Sequence, residues 1–189
     1  MADKNSIITL PNEHLRTASR KIKVITDQTL AVIADMEAAL LDWDASRPHE
    51  IGVALAAVQI NELERIVIVR HDIDNKEDKR FIILINPEVI KTEGPIVYDH
   101  EGCLSVKDTY GMVPRAEKIR VKAINKDGQE MRVKAEGFLA RILQHEIDHT
   151  NGVMFVDHVE SEDGFFRLDE KGNLLPMEYD DVKKSNILR

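Results

Sequence analysis

One segment constrains the fold more than any other, because it sets two histidines on the apolar side of a predicted helix. Over residues 137–151, a single stripe contains Phe138, Ile142, His145 and His149. The spacing i, i+4, i+7 and i+11 is typical of one face of an α-helix. Since the apolar members of the stripe must be buried, the imidazoles enter the core with them. We therefore expect the chain to fold around this helix.

His145, Glu146 and His149 belong to an HExxH motif. The helical repeat places the two histidines one turn apart and pointing the same way, as ligands of a shared metal ion must. Glu146 then lies beside the ion, where it suits a general base that takes a proton from an activated water and passes it to a leaving nitrogen. The alternative, a pair of histidines without a metal, is disfavoured by their place on the core-facing stripe.

A catalytic site of this type needs a third protein ligand. A metzincin would supply a histidine at the position of Phe155, which cannot bind a metal. A gluzincin would use a glutamate from a downstream helix, but Glu160, Glu162 and Glu170 lie where turns and a strand are predicted. Upstream, the single cysteine, Cys103, is a soft ligand that binds as a thiolate. A buried structural thiol remains the alternative for Cys103.

The other segments indicate an α+β fold in one domain, with antiparallel strands packed around the central HExxH helix. Apolar residues three or four apart predict a helix over residues 26–43, with Thr26 or Asp27 as its N-cap. β-Branched runs or alternation predict strands at residues 65–69, at 80–85 with a stop at Asn86-Pro87, at 153–156, and in a hairpin around the Asp127-Gly128 turn.

Composition narrows the function. A chain of 189 residues suits one compact domain. The net charge of -8, with Lys and Arg dispersed, argues against direct nucleic-acid binding, because phosphates require clustered positive charge. No apolar run approaches the ~18 residues of a membrane-spanning helix. The first residues lack the features of a secretory signal, so a cytoplasmic location is expected.

Three ordered motifs together resemble the peptide deformylases. They are GVALAAVQ at residues 52–59, EGCLS at residues 101–105 and QHEIDHTNGVMFVDH at residues 144–158. The likeness in order, spacing and residue type extends over roughly residues 10–159. It implies removal of the formyl group from the N-terminal formyl-methionine of nascent polypeptides.

The resemblance also implies roles for individual residues. Cys103, His145 and His149 would hold one divalent metal ion, natively Fe²⁺, with Zn²⁺, Ni²⁺ or Co²⁺ able to use the same ligands. Glu146 would move the protons. The side chain of Gln59 and the backbone N–H of Leu104 would donate hydrogen bonds to the oxyanion formed during hydrolysis. Glu101 and Arg115 resemble a pair that braces the cysteine loop.

Substrate binding is implied along the first motif, with the peptide extended. The expected contacts and the border of the methionine pocket involve Val53, Ala54, Gly102, Phe138 and Ile142. For Phe138 and Ile142, ordinary core packing is an equal alternative. The implied partners are N-formyl-methionyl nascent peptides, with a transient ribosome contact. Direct binding to nucleic acid or to a membrane is not expected.

Several residues depart from the family pattern. Ala54 occupies a position where the family normally has a second glycine, and Lys107 replaces a proline after EGCLS-Val106.

We expect a catalytic domain over residues 1–164 and a tail over residues 165–189 that forms a loose hairpin instead of the long basic helix used in ribosome docking. Two alternative functions stay open, an HExxH zinc metallopeptidase and an inactive deformylase-like binding protein.

Overall fold

The computed structural model describes residues 2–47, 50–169 and 171–188, and it contains one antiparallel sheet with helices on its faces. Within these residues the helices are α1 (Asp27–Ser46), α2 (Gly137–Thr150) and α3 (Tyr179–Lys184). The strands are β1 (Ala54–Ala56), β2 (Ile66–Arg70), β3 (Phe81–Cys103), β4 (Val106–Ile124), β5 (Glu130–Glu136), β6 (Phe165–Leu168) and β7 (Leu174–Pro176). Short 3₁₀ segments lie at Lys4–Ser6, Glu13–Arg16, Ala57–Ile60, Phe155–His158 and Glu162–Gly164.

The sheet has the order β1-β2-β3-β4-β6-β7, and β5 pairs with β4 beside this path. All of the strand pairings in the described residues are antiparallel. The predicted α+β class is therefore confirmed. None of the helices in the described part of the chain combines the length and apolar character needed to cross a bilayer.

The predicted stop at Asn86-Pro87 is wrong, because β3 continues to Cys103. The register between β3 and β4 shifts between Ile85 and Glu88. Pro87 therefore lies at a bulge, where no backbone N–H is needed for the hydrogen bonds between the strands. Asn86 has a positive φ of 53°. Its side chain also binds the backbone N–H and C=O of Ile22, both at 2.8 Å. The dipeptide bends the strand without ending it.

Helix α1 begins where its sequence predicts. Thr26 is the N-cap, and its hydroxyl accepts a hydrogen bond from the backbone N–H of Thr29 at 3.3 Å. The buried face of α1 includes Met36 and Leu40 and packs against the core residues of β1 and β2. This packing fixes one face of the sheet.

Helix α2 packs in a second core cluster with Ala54, Val58 and the hairpin strands. Gly137 starts the helix with φ of 58°, a left-handed conformation that favours glycine and lets the chain turn directly from β5. His145 is 9% exposed and His149 is 0% exposed. The imidazoles therefore enter the interior, as the stripe predicts.

The predicted strand at residues 153–156 is wrong. Met154, Phe155 and Val156 are all buried, and Phe155–His158 forms a 3₁₀ segment. A short apolar run shows burial, but its periodicity does not distinguish a strand from other buried structure. In the tail, β6 pairs with β7, and the short helix α3 follows, which the sequence pattern does not predict.

A buried ion pair joins α1 to β2 behind the first motif. Arg70 is 1% exposed and Asp44 is 4% exposed, and the guanidinium donates to the carboxylate. Between them lies Gly52, whose backbone N–H donates to Asp44 Oδ1 at 2.6 Å and whose carbonyl accepts from Arg70 Nε at 3.2 Å. A Cβ on Gly52 would lie 2.5 Å from Leu40 Cδ1. The pair therefore holds both polar groups of Gly52 just before β1.

The variant Arg70→Met should lose about 3–5 kcal/mol of unfolding free energy, because it leaves the Asp44 carboxylate buried without its partner. Chemical denaturation with guanidinium chloride measures the loss. Arg120→Met is the matched control, since Arg120 is 44% exposed in its pair with Glu93 and should leave the midpoint nearly unchanged. Equal midpoints for the two variants would contradict the stabilising role of the buried pair.

Candidate metal centre

Three potential metal ligands come together where β3 ends against α2. Cys103 is the last residue of β3, and His145 and His149 project from α2. One ligand atom from each residue lies within 4.8 Å of the others. Cys103 Sγ is 3.3 Å from His149 Nε2, and the two imidazole rings are inclined at 80°. Within the described residues, Cys103, His145 and His149, called the trio below, are the side chains whose ligand atoms lie close enough together to share a metal ion.

The donor atoms suit a transition metal. A thiolate and two imidazoles match the softness of Zn²⁺ or Fe²⁺, and three protein ligands leave a coordination position open. Burial lowers the pKa of His149 well below its ordinary value. A lowered pKa favours the neutral imidazole, which is the form that binds a metal.

Glu101 orients His145. Its Oε2 lies 2.9 Å from His145 Nδ1, which leaves Nε2 of that ring for a metal. The same carboxylate accepts hydrogen bonds from Arg115 Nε at 2.8 Å and from Arg141 Nη1 at 2.8 Å. Burial alone would raise the pKa of Glu101, but the hydrogen bonds from His145 and Arg115 hold it well below its ordinary value. A carboxylate is thus kept charged in the interior.

Sequence reasoning missed Arg141, Asp148 and Ser105. Arg141 lies four residues before His145, on the buried side of α2, and a charged residue at a core-facing position was the signal that could have found it. Asp148 accepts from Arg115 Nη1 at 2.5 Å and lies 2.8 Å from His158 Nε2. Ser105 is the last residue of the EGCLS motif, which is the signal that could have found it.

Gln59 directs its amide nitrogen into the site. Its Oε1 accepts a hydrogen bond from the backbone N–H of Ala56 at 2.8 Å, so the orientation of the amide follows from the hydrogen-bond network. Nε2 then lies 3.1 Å from Ser105 Oγ and 3.5 Å from Cys103 Sγ. Leu104 lies in the turn after Cys103 and lines the same cleft.

Glu146 is 5% exposed and lines the cleft. Its Oε2 is buried and has no hydrogen-bond partner among the described residues. Burial raises the pKa of Glu146 to about 7. Buried carboxylate oxygens normally have partners, so an unpaired one on a residue that lines a cleft marks a group that can accept a proton.

A cleft of about 1190 Å³ opens onto Cys103 and His145 of the trio. It is lined by every residue expected to contact substrate, namely Val53, Ala54, Gly102, Phe138 and Ile142. Ile142 is 5% exposed and also belongs to the core, whereas Phe138 is 55% exposed at the cleft, so the expected burial of the whole apolar stripe is wrong at Phe138. At Gly102, a Cβ would lie 2.5 Å from Tyr110 Cε1, so this position requires the smallest residue.

The downstream glutamates are not part of the trio. Glu160 accepts a hydrogen bond from Tyr98 Oη at 2.7 Å, and Glu162 begins a 3₁₀ segment. Glu170 lies outside the described residues. Within the described residues, the third donor beside the two histidines is the thiol of Cys103.

The sequence model of polypeptide deformylase matches residues 4–164. This chain belongs to the polypeptide deformylase family. It is 44% identical over 145 residues to a peptide deformylase of Halothermothrix orenii, and the aligned segment covers 77% of this chain and 86% of that protein. A peptide deformylase of Thermomicrobium roseum is 41% identical over 158 residues, covering 82% of this chain and 85% of that protein.

Solved deformylase structures have the same fold. A peptide deformylase from Legionella pneumophila superimposes with a TM-score of 0.74 at 36% identity, covering 85% of this chain and 87% of that one. The peptide deformylase of Synechococcus elongatus, solved in complex with actinonin, gives a TM-score of 0.74 at 32% identity, covering 82% of this chain and 80% of that one. The family membership and the fold therefore agree.

The variant Glu101→Gln should bind metal about 10–100-fold more weakly, because His145 loses the carboxylate that orients it. Competition with a chromogenic chelator measures the affinity. Glu136→Gln is the control, since Glu136 pairs with Lys118 on the surface with 71% of its side chain exposed. Equal metal affinities for the two variants would contradict the role of Glu101.

Proposed function

We propose that this chain is a metal-dependent hydrolase that removes the formyl group from the N-terminal formyl-methionine of nascent polypeptides. The observation that carries the proposal is the convergence of Cys103, His145 and His149 within 4.8 Å, with Glu146 lining the same cleft. Family membership supplies the reaction, and the donor set fits the metal that the reaction needs.

Cys103, His145 and His149 are proposed to hold one divalent ion, Fe²⁺ in the native protein. Zn²⁺, Ni²⁺ and Co²⁺ suit the same donors. When bound, the ion supplies Lewis acidity that polarises the formyl carbonyl and lowers the pKa of water to near neutrality. The chain's own contribution is to fix the donors: Glu101 orients His145, and burial lowers the pKa of His149, which favours its neutral form.

Glu146 is proposed as the general base and then the general acid. Its unpaired Oε2 can accept the proton from the attacking water and later deliver it to the amide nitrogen that leaves with the peptide. Glu146 lines the same cleft as Cys103 and His145, so its carboxylate lies close to the proposed site of reaction.

Gln59 and the backbone N–H of Leu104 are proposed to stabilise the oxyanion. The amide nitrogen of Gln59 is fixed by the Ala56 hydrogen bond on the other end of the side chain, so it is ordered before substrate arrives. A donor that is already oriented costs no reorganisation during the reaction. Leu104 follows Cys103 directly, which keeps its N–H close to the trio.

The substrate is proposed to extend along the first motif, with backbone contacts near Val53 and Ala54. Its methionine side chain enters the part of the cleft bordered by Gly102, Phe138 and Ile142. We assign catalysis to residues 1–164. The expected setting is the cytoplasm, with nascent chains as partners and a transient contact with the ribosome.

The alternative functions are less well supported. A metallopeptidase of the HExxH type would use another third ligand, whereas the proximity of Cys103 Sγ to both histidines, within 4.8 Å, supports the cysteine in that role. In a binding protein without activity, the buried and unpaired Oε2 of Glu146 would cost folding free energy and serve no reaction.

Formate release from formyl-Met-Ala-Ser by anaerobically purified protein tests the proposal. The acetylated and unblocked forms of the same peptide are the controls. Turnover of the formylated peptide alone supports a deformylase, because only that substrate carries the formyl amide. Cleavage of the unblocked peptide would favour the metallopeptidase, and no turnover of any metal-loaded sample would favour the inactive protein.

The variant Glu146→Ala should keep its metal and lose about 10²–10⁴-fold in kcat, because the proton carrier is gone. Metal analysis and formate release are measured on the same preparation. A metal-free variant, or one with an unchanged rate, would remove the general-base assignment.

The variant Gln59→Ala should lower kcat about 10²–10³-fold while KM changes little, since the amide acts on the charge of the transition state. Ser105→Ala keeps the amide of Gln59 and should have a smaller effect, which isolates the donor from its neighbour. A rise in KM alone for Gln59→Ala would assign the residue to ground-state binding.

A further inference from the structure

Part of the cleft wall comes from outside the segment that matches the family. The match ends at residue 164, and the β6–β7 hairpin follows it. Leu168, Gly172 and Leu174 of this hairpin line the same cleft as Cys103 and His145. The tail is therefore a wall of the proposed active site.

The strand register explains which side chains face the cleft. Leu168 pairs with Leu174, and Arg167 pairs with Leu175. Directly opposed residues of an antiparallel pair project to the same face, and their neighbours project to the other. Leu168 and Leu174 line the cleft, whereas Arg167 and Leu175 are absent from the described lining residues.

The hairpin is joined to the strand segment that leads to Cys103. Phe166 of β6 pairs with Tyr110 of β4 and contacts the ring of His100 edge to face, with the ring centroids 4.7 Å apart. Tyr110 in turn packs directly over Gly102. The hairpin thus continues the wall that begins beside the trio.

The rest of the tail fixes the hairpin in place. Phe165 is 3% exposed, and it packs in one core cluster with Val182 of α3. Arg16 Nη2 donates to the carbonyl of Ile187 at 2.7 Å. These contacts bind both ends of the tail to the body of the domain, so the leucines have a defined position.

The leucines leave apolar surface uncovered in a cleft that must hold an extended peptide. Leu168 is 41% exposed and Leu174 is half-buried. With the formyl group at the trio, the chain beyond methionine has to follow the cleft outward. We propose that Leu168 and Leu174 form a specificity site for an apolar side chain at the second or third position of the nascent peptide. This inference rests on the proposed function and adds a preference of the enzyme for the residues that follow methionine.

The test compares formyl-Met-Ala-Ala with formyl-Met-Leu-Ala and formyl-Met-Ala-Leu. We expect the wild-type protein to favour one leucine peptide by about five-fold in kcat/KM, mainly through KM, because a partly buried side chain gains apolar contact. In Leu168→Ser and Leu174→Ser, the ratio of leucine to alanine substrate should fall towards one. A ratio is used because it cancels any general loss of activity.

Leu175→Ser is the matched control. Leu175 is 42% exposed, close to the 41% of Leu168, and it lies on the opposite face of the hairpin. It should keep the wild-type ratio. An equal fall of the ratio in Leu175→Ser would overturn the proposal, because the effect would then belong to the tail as a whole. An unchanged ratio in both cleft variants would overturn it as well.

Leu174→Lys provides a test that a structural defect cannot imitate. A cation in the cleft should raise the kcat/KM of formyl-Met-Asp-Ala or formyl-Met-Ala-Asp relative to the alanine peptide, and this gain should weaken with salt. No gain for either acidic peptide would count against the site. Absence of formate release from every formylated peptide by the metal-loaded wild type would contradict the proposed function itself, which separates the two failures.

Discussion

The buried carboxylate of Glu101 is the interaction on which the site depends. It binds Arg115 from β4 and both Arg141 and His145 from α2, so it joins the sheet to the helix. A buried charge is costly unless its partners compensate it, and here two guanidinium groups do so. Glu101 and Cys103 are two residues apart on β3, and alternation places them on the same side of the strand. The contacts of Glu101 with α2 thus also direct the Cys103 thiol towards that helix.

The parts of the fold that follow from local periodicity could be predicted. In the β4–β5 hairpin, Ile119 lies opposite Ala135 and Val121 opposite Val133, as the alternation and the Asp127-Gly128 turn indicate. The stripe on α2 placed His145 and His149 in the interior for the same reason. Each of these features depends on residues close in sequence, where burial and repeat impose one solution.

Features that depend on distant contacts could not be predicted. The length of β3 follows from bulges that let the strand continue past Pro87, and their compensation comes from Ile22, far away in sequence. The partner of Arg141 is Glu101, which no helical pattern on α2 indicates. A buried arginine becomes understandable when the carboxylate across the core is known. The proposed ligands of the site could be predicted from the sequence more readily than the arginine that supports their orientation.

The short strand β1 shows how the core supports chemistry from behind. It carries the proposed substrate edge, and the Gln59 amide follows it, while the Asp44–Arg70 pair holds Gly52 just before it. Ala54 is 6% exposed and belongs to the core cluster that packs on α2. The methyl group that distinguishes Ala54 from the family glycine therefore packs largely in the core, although the residue also lines the cleft.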